Sequence, residues 1–216
     1  MKRGAIFDMD GLMFDTERLY QKLWKEQIIA RGAAFDPAFL SAVAGTSGRK
    51  MEETIRAFFP SIDPADIMRD VFAGIDRELE KKVPEKPGIH ELLAFFREKG
   101  VKTAVASSSA EHAIEHNLRA TGLRDQVDVV VSGMNVKNGK PAPDVFLLAA
   151  EMLGLPAEDC YVLEDGINGV HAGLAAGAQT IMIPDTMEPT EDILASDTKI
   201  FPDLIACMKA IEAGTL

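Results

Sequence analysis

The sequence predicts an α/β protein, a doubly wound parallel sheet with an inserted α-helical cap. Three observations carry that expectation. From residue 84 onward short apolar runs alternate with helix-length amphipathic stretches, the pattern of parallel strands joined by helical crossovers. Residues 16 to 83 show almost nothing but helical patterning. The run Ala5-Ile6-Phe7 is too short for a helix and reads as a buried strand that precedes the helical stretch. The simplest division places residues 1–15 and 84–216 in one α/β core and 16–83 in the cap. The two connections between them form a natural hinge.

The first strand runs straight into Asp8-Met9-Asp10-Gly11. Alternation along an extended chain points Asp8 and Asp10 the same way, beyond the strand end where ligands of open sheets bind. Gly11 lets the chain turn in a conformation closed to residues with a Cβ. Asp15-Thr16 can cap the helix expected over residues 17 to 31, which Gly32 ends. Asp36-Pro37 opens a short helix to residue 43, and a loop over 45 to 48 follows. Further helices are expected over 49 to 59, closed by Pro60, and from Pro64 to residue 83, opened by Asp63-Pro64.

Pro84-Glu85-Lys86-Pro87-Gly88 marks the boundary. A helix over 89 to 99 then leads to a strand over 101 to 106, running into Ser107-Ser108-Ser109. Helices over 110 to 121, 143 to 153, 170 to 176 and 202 to 213 alternate with strands over 127 to 131, 161 to 163 and 180 to 183, with a possible edge strand at Ile200.

Composition bounds the function. The chain has 216 residues, ordinary hydrophobic content at 47%, and a net charge of −11. That acidity argues against general nucleic-acid binding and against an anionic membrane surface, which both need a basic face. Cys160 and Cys207 read as two buried free thiols, with no zinc-like spacing to histidine. No apolar run approaches membrane-spanning length, and Asp8 and Asp10 break any leader-like run. A cytoplasmic monomer is the expectation.

Four polar sites follow apolar runs or close a strand-rich segment: Asp8 with Asp10, Ser107, Lys140, and Glu164 with Asp165. In a doubly wound sheet they can converge on one edge. Two carboxylates meeting at one point need a cation or a shared proton, and oxygen ligands at this density suit Mg²⁺. Phosphoryl transfer uses each part: a nucleophilic carboxylate, a second to carry a proton, cations for the phosphoryl oxygens and a hydroxyl to hold them. Each part also has a plainer reading. Ser107 alone reads as a helix cap, Lys140 as a solvated loop lysine, Glu164-Asp165 as caps and Trp24 as packing. His112 and His116, four apart, read as an exposed helix face.

Over essentially its whole length the chain resembles the haloacid dehalogenase superfamily, and more narrowly the β-phosphoglucomutase-like phosphatases with a helical cap. The resemblance rests on Asp8-Met9-Asp10-Gly11 with Asp15-Thr16-Glu17, on Val105-Ala106-Ser107, on Gly139-Lys140-Pro141-Ala142-Pro143-Asp144, and on Leu163-Glu164-Asp165-Gly166 with Asn168-Gly169. It implies a Rossmann-like core. It implies that Asp8 is the nucleophile, Asp10 the general acid and base, Ser107 a phosphoryl ligand and Lys140 the bridge between Asp8 and the phosphate. Mg²⁺ would be held by Asp8, the Asp10 carbonyl, Glu164 and Asp165. Substrate contacts would come from Ser108 and from the cap residues Trp24, Gly45 and Arg49. The loop to Arg49 carries one residue more than the family's usual Gly-x-Ser-Arg form.

The function expected is Mg²⁺-dependent hydrolysis of a small phosphomonoester, a sugar phosphate in class, through an aspartyl phosphate. A β-phosphoglucomutase-type mutase and a non-catalytic phospho-ligand-binding relative are the alternatives. Where those mutases carry a histidine on the first cap helix this chain has Tyr20, which favours water as the acceptor.

Overall fold

The computed structural model describes residues 1–46 and 48–216. Among the described residues, six strands form one sheet: β1 (Gly4–Phe7), β2 (Lys102–Ser107), β3 (Val129–Ser132), β4 (Cys160–Glu164), β5 (Gln179–Met182) and β6 (Lys199–Ile200). Their order is β3-β2-β1-β4-β5-β6, and every neighbouring pair is parallel. The chain steps from β1 outward to β3, then crosses back to β4. The direction of winding therefore reverses between β1 and β4, the place where such sheets bind ligands.

Between β1 and β2 lie α1 (Glu17–Ala30), α2 (Ala38–Val43), α3 (Gly48–Phe58) and α4 (Pro64–Leu79), followed by α5 (Ile89–Glu98). The later crossovers use α6 (Glu111–Ala120), α7 (Asp144–Leu153), α8 (Ile167–Ala175) and the short α9 (Glu191–Leu194), and α10 (Leu204–Glu212) ends the fold. The sequence-predicted helices and strands all appear, with ends shifted by a few residues. The four-residue α9 was not expected, since one turn shows no periodicity.

Strand alternation builds two cores. Ala5, Phe7, Val105, Tyr161 and Leu163 face Leu92 and Phe96 of α5 and Cys207 of α10. Ile6, Ala104, Ala106 and Val162 face Val145, Phe146 and Ala149 of α7 and Ala172 of α8. Both cysteines are buried free thiols, as expected. No helix among the described residues is long and apolar enough to cross a membrane.

The helical insert has its own aromatic centre. Phe39 lies with its ring centroid 5.4 Å from Trp24, 5.7 Å from Phe58 and 5.0 Å from Phe59, all edge-on. The Asp63-Pro64 signal works as read: Asp63 accepts the Asp66 N–H at 3.1 Å and Pro64 opens α4. The insert enters and leaves through one narrow rung. Asp15 N–H donates to Pro84 O at 2.8 Å, Lys86 N–H donates to Met13 O at 2.9 Å, and Phe14 pairs antiparallel with Glu85.

Phe39 is fully buried, so Phe39→Ala on α2 leaves a cavity against α1 and the end of α3. The variant is expected to lose about 3–5 kcal/mol of stability, read from urea unfolding.

Candidate active site

Register brings the polar residues together. Phe7 pairs with Val105 on one side and Leu163 on the other, so Asp8, Ser107 and Glu164 leave the sheet at one edge. Asp8 continues the ladder by donating its N–H to Leu163 O at 2.9 Å. Lys140 reaches this edge from the loop before α7. Its ammonium is buried and donates to Asp8 Oδ1 at 2.5 Å, Glu164 Oε1 at 2.7 Å and Ala106 O at 3.3 Å. It also lies 4.7 Å from the centre of the Phe146 ring. Glu164 is completed by the Gly166 N–H, which donates to Oε2 at 2.8 Å.

Two glycines make room for this packing. A Cβ on Gly169 would stand 1.6 Å from Glu164 Oε1. A Cβ on Gly11 would stand 2.1 Å from Asp165 Oδ2, and Gly11 also sits at φ +88°, a backbone open mainly to glycine.

Asp8, Glu164 and Asp165 are all buried, and each offers an oxygen within 4.8 Å of the others. Lys140 supplies one positive charge to three carboxylates. Burial is the largest cause pushing the Asp8 carboxyl up to about 8; it outweighs Lys140, and Glu164 and Asp10 add to it. Asp165 is raised in the same direction by burial, then by Glu164 and Asp8. Burial opposes the charged form of Lys140, but Asp8 and Glu164 prevail and hold its pKa above the ordinary value. The unpaid negative charge and the all-oxygen donor set fit a hard divalent cation such as Mg²⁺.

Asp10 has a different environment. Its Oδ1 accepts from Thr16 Oγ1 at 2.7 Å, and its Oδ2 accepts from Ser109 Oγ at 2.8 Å and Ser107 Oγ at 3.4 Å. Among the described residues, three hydroxyls and no cation hold it. A buried lysine, the Asp8 carboxylate beneath it and a hydroxyl-bound carboxylate two residues on thus lie together at the strand ends.

Residues 5–183 match the haloacid dehalogenase-like hydrolase family. The chain belongs to this family. It is 31% identical over 182 residues to the phosphorylated carbohydrates phosphatase of Thermotoga maritima, covering 82% of this chain and 83% of that protein. It is 33% identical over 181 residues to the fructose-1-phosphate phosphatase of Escherichia coli, covering 82% and 94%. Among solved structures it is similar to CbbY from Rhodobacter sphaeroides in complex with phosphate, at 28% identity and a TM-score of 0.79 over 94% of this chain and 95% of the other.

The haloacid dehalogenase fold thus brings Asp8, Asp10, Ser107, Lys140, Glu164 and Asp165 to one edge. Ser108 lies half-buried beside Ser107. Gly45 sits against Asn168 across the gap between insert and core, and Asn168 Nδ2 donates to Ala44 O at 3.4 Å. Ser47, in the same loop, lies outside the described residues.

Two expected substrate contacts are not brought to the edge. Trp24 is buried in the insert, packed on Phe39 and Phe72. Arg49 is 91% exposed and pairs at 2.8 Å with Glu53, one turn along its own helix. An i,i+4 partner in water satisfies it without any ligand.

Other residues near Asp10 were read differently from sequence. Ser107 does not cap α6, whose N-cap position is Ala110; its oxygen accepts the Ser109 N–H at 3.1 Å. Thr16 stands at the N-cap of α1 but makes no capping bond, its hydroxyl being spent on Asp10. Glu17 turns toward the same edge. Burial first, then Asp10, Asp185 and Glu164, push its carboxyl up to about 7. Burial and Asp10 hold the Tyr20 phenol well above its ordinary value. The Asp15-Thr16-Glu17 motif was the available signal for Thr16 and Glu17, and nothing in the serine run singled out Ser109.

A carboxyl whose folded pKa is raised takes up a proton on folding. Its contribution to stability is complete below the unfolded pKa of about 4 and is lost as pH rises through about 8. Chelator-treated protein is therefore expected to lose stability between about pH 6 and pH 8, and Asp8→Asn, which cannot titrate, to lose clearly less. Urea unfolding at the two pH values checks this.

Proposed function

We propose that the chain is a Mg²⁺-dependent phosphatase that hydrolyses a small sugar phosphate through an aspartyl phosphate on Asp8. The observation that carries the reading is the contrast between two carboxylates two residues apart. Asp8 is buried against the Lys140 ammonium, whereas Asp10 is held only by hydroxyls. A cation beside Asp8 favours the anion needed for attack, and neutral donors leave Asp10 free to exchange a proton.

Asp8 Oδ attacks phosphorus and displaces the sugar oxygen. Asp10 gives that oxygen its proton, then takes one from the water that attacks the aspartyl phosphate. Lys140 and the Ser107 hydroxyl neutralise and hold the phosphoryl oxygens. Asp8, Glu164 and Asp165 would hold Mg²⁺, which when bound supplies charge stabilisation at the phosphoryl group. The insert over residues 16–83 serves as a cap on the core formed by 1–15 and 84–216, and its closure excludes bulk water. The similar phosphatases named for carbohydrate phosphates support a sugar phosphate as the substrate class.

Asp8→Asn is expected to bring phosphate release from fructose 1-phosphate down to background with the fold intact, because an amide does not attack phosphorus. Circular dichroism and a phosphate assay read the two halves. Chelator is expected to remove wild-type activity, Mg²⁺ to restore it, and Ca²⁺ to inhibit, since Ca²⁺ takes more ligands at longer distances. Full activity in chelator refutes the metal assignment.

A phosphatase and a mutase differ in the final acceptor. The Tyr20 phenol stays neutral and does not relay protons near neutral pH, which suits hydrolysis. With β-glucose 1-phosphate and a bisphosphate primer, phosphate release is expected to exceed formation of glucose 6-phosphate. Isomerisation outrunning hydrolysis makes the protein a mutase instead.

A further inference from the structure

One ion pair between a half-buried lysine and a buried carboxylate lies at the edge of the catalytic face without touching the reacting groups. Lys86, on the return linker of the insert, places its ammonium 2.6 Å from Asp185 Oδ1 and 3.6 Å from Asp15 Oδ1. Asp185 is 5% exposed at its side chain, and its Oδ2 is buried with no hydrogen-bond partner. Its segment is fixed to the site from the other side, because the Ile183 N–H donates to Glu164 O at 2.8 Å. This is no solvated surface pair: a buried carboxylate depends on Lys86 for compensation.

The pair is joined to Asp10 through short, ordered steps. Lys86 N–H bonds Met13 O, Asp15 N–H bonds Pro84 O, and Lys86 Nζ and Arg18 Nε each lie 3.6 Å from Asp15 Oδ1. Thr16 follows Asp15 directly and donates to Asp10 Oδ1. Gly11 N–H bonds Phe14 O at 2.8 Å, closing the turn that carries Asp10.

We propose that Lys86 and Asp185 are positioning residues for Asp10. Their ion pair clamps the paired linkers to the catalytic edge, and the clamped linker sets Thr16 against the Asp10 carboxylate. The inference rests on the reading of Asp10 as the acid that protonates the leaving oxygen. Loosening the clamp lets Asp10 swing away from that oxygen while Asp8, Lys140 and the metal ligands stay in place. The cost falls on substrates whose leaving oxygen needs a proton.

The test compares kcat/KM, which reports the steps through phosphoryl transfer to Asp8, for two substrates. Fructose 1-phosphate leaves as a poor alkoxide and needs the acid. p-Nitrophenyl phosphate leaves as a stabilised phenolate and needs it little. Lys86→Met and Asp185→Asn are each expected to lose roughly tenfold or more on fructose 1-phosphate, and less than about threefold on p-nitrophenyl phosphate. Lys86→Arg is expected to retain most activity on both.

The two single variants change the local charge in opposite directions. A through-space charge effect would move their rates oppositely, and a clamp lowers both. The double variant Lys86→Met with Asp185→Leu removes both charges, so it folds even where a single variant strands one. It is expected to show the same substrate-dependent loss, and no more than either single variant.

Equal losses on the two substrates, opposite effects of the two single variants, or an unaffected double variant overturn the clamp. Asp10→Asn, measured alongside, reports on the reading beneath it. A loss there that ignores the leaving group removes both readings, whereas a strong dependence there with uniform losses in the clamp variants removes the clamp alone.

Discussion

The catalytic edge depends on one buried ammonium. Lys140 spans Asp8, just past the end of β1, and the Glu164 that ends β4, and it reaches the Ala106 carbonyl of β2 as well. Three neighbouring strands thus close on one cation. Removing it would strand two buried carboxylates, a loss far larger than the net worth of the ion pairs themselves. The same geometry explains Gly169: with any side chain there, Glu164 could not lie back toward the lysine. Backbone pairing sets the spacing of the strand ends, and charge compensation orders the side chains that leave them.

Even so the compensation is incomplete, since one lysine faces three carboxylates. Without a further cation the shortfall is met by protons, which is why Asp8 sits near 8 despite its lysine. Proton and metal ion therefore compete for the same oxygens. Asp10 is held differently, accepting from the hydroxyls of Thr16, Ser107 and Ser109.

Much of this was legible in the chain. Apolar runs ending abruptly in Asp8, Ser107 and Glu164 fixed the strand ends, and a parallel sheet then leaves them on one edge. Lys140 was placed by its motif. What sequence withheld was side-chain direction. The hydroxyl of Thr16 has two good acceptors within reach, the backbone of its own helix and Asp10, and only the path of the linker decides between them. Ser109 lies in a run of three serines whose individual aims have no periodic signature. Trp24 and Arg49 find partners inside the insert for related reasons. The tryptophan found aromatic neighbours inside the insert, and the arginine found Glu53 on its own helix. The clamp at Lys86 was invisible because its partners lie on segments far apart in the chain.

The position of β1 has a consequence for how the molecule is made. Its two neighbours in the sheet, β2 and β4, are drawn from residues 102–105 and 160–163. A chain emerging from the ribosome presents β1 first and its partners long afterwards. The helical insert, whose contacts are local, can condense in the meantime, while an apolar strand waits with both edges unpaired. The catalytic edge is therefore a late product of synthesis. A chain translated only through the insert cannot assemble Asp8 with Lys140 and Glu164, and the vulnerable interval ends only when β4 arrives to close the second side of β1.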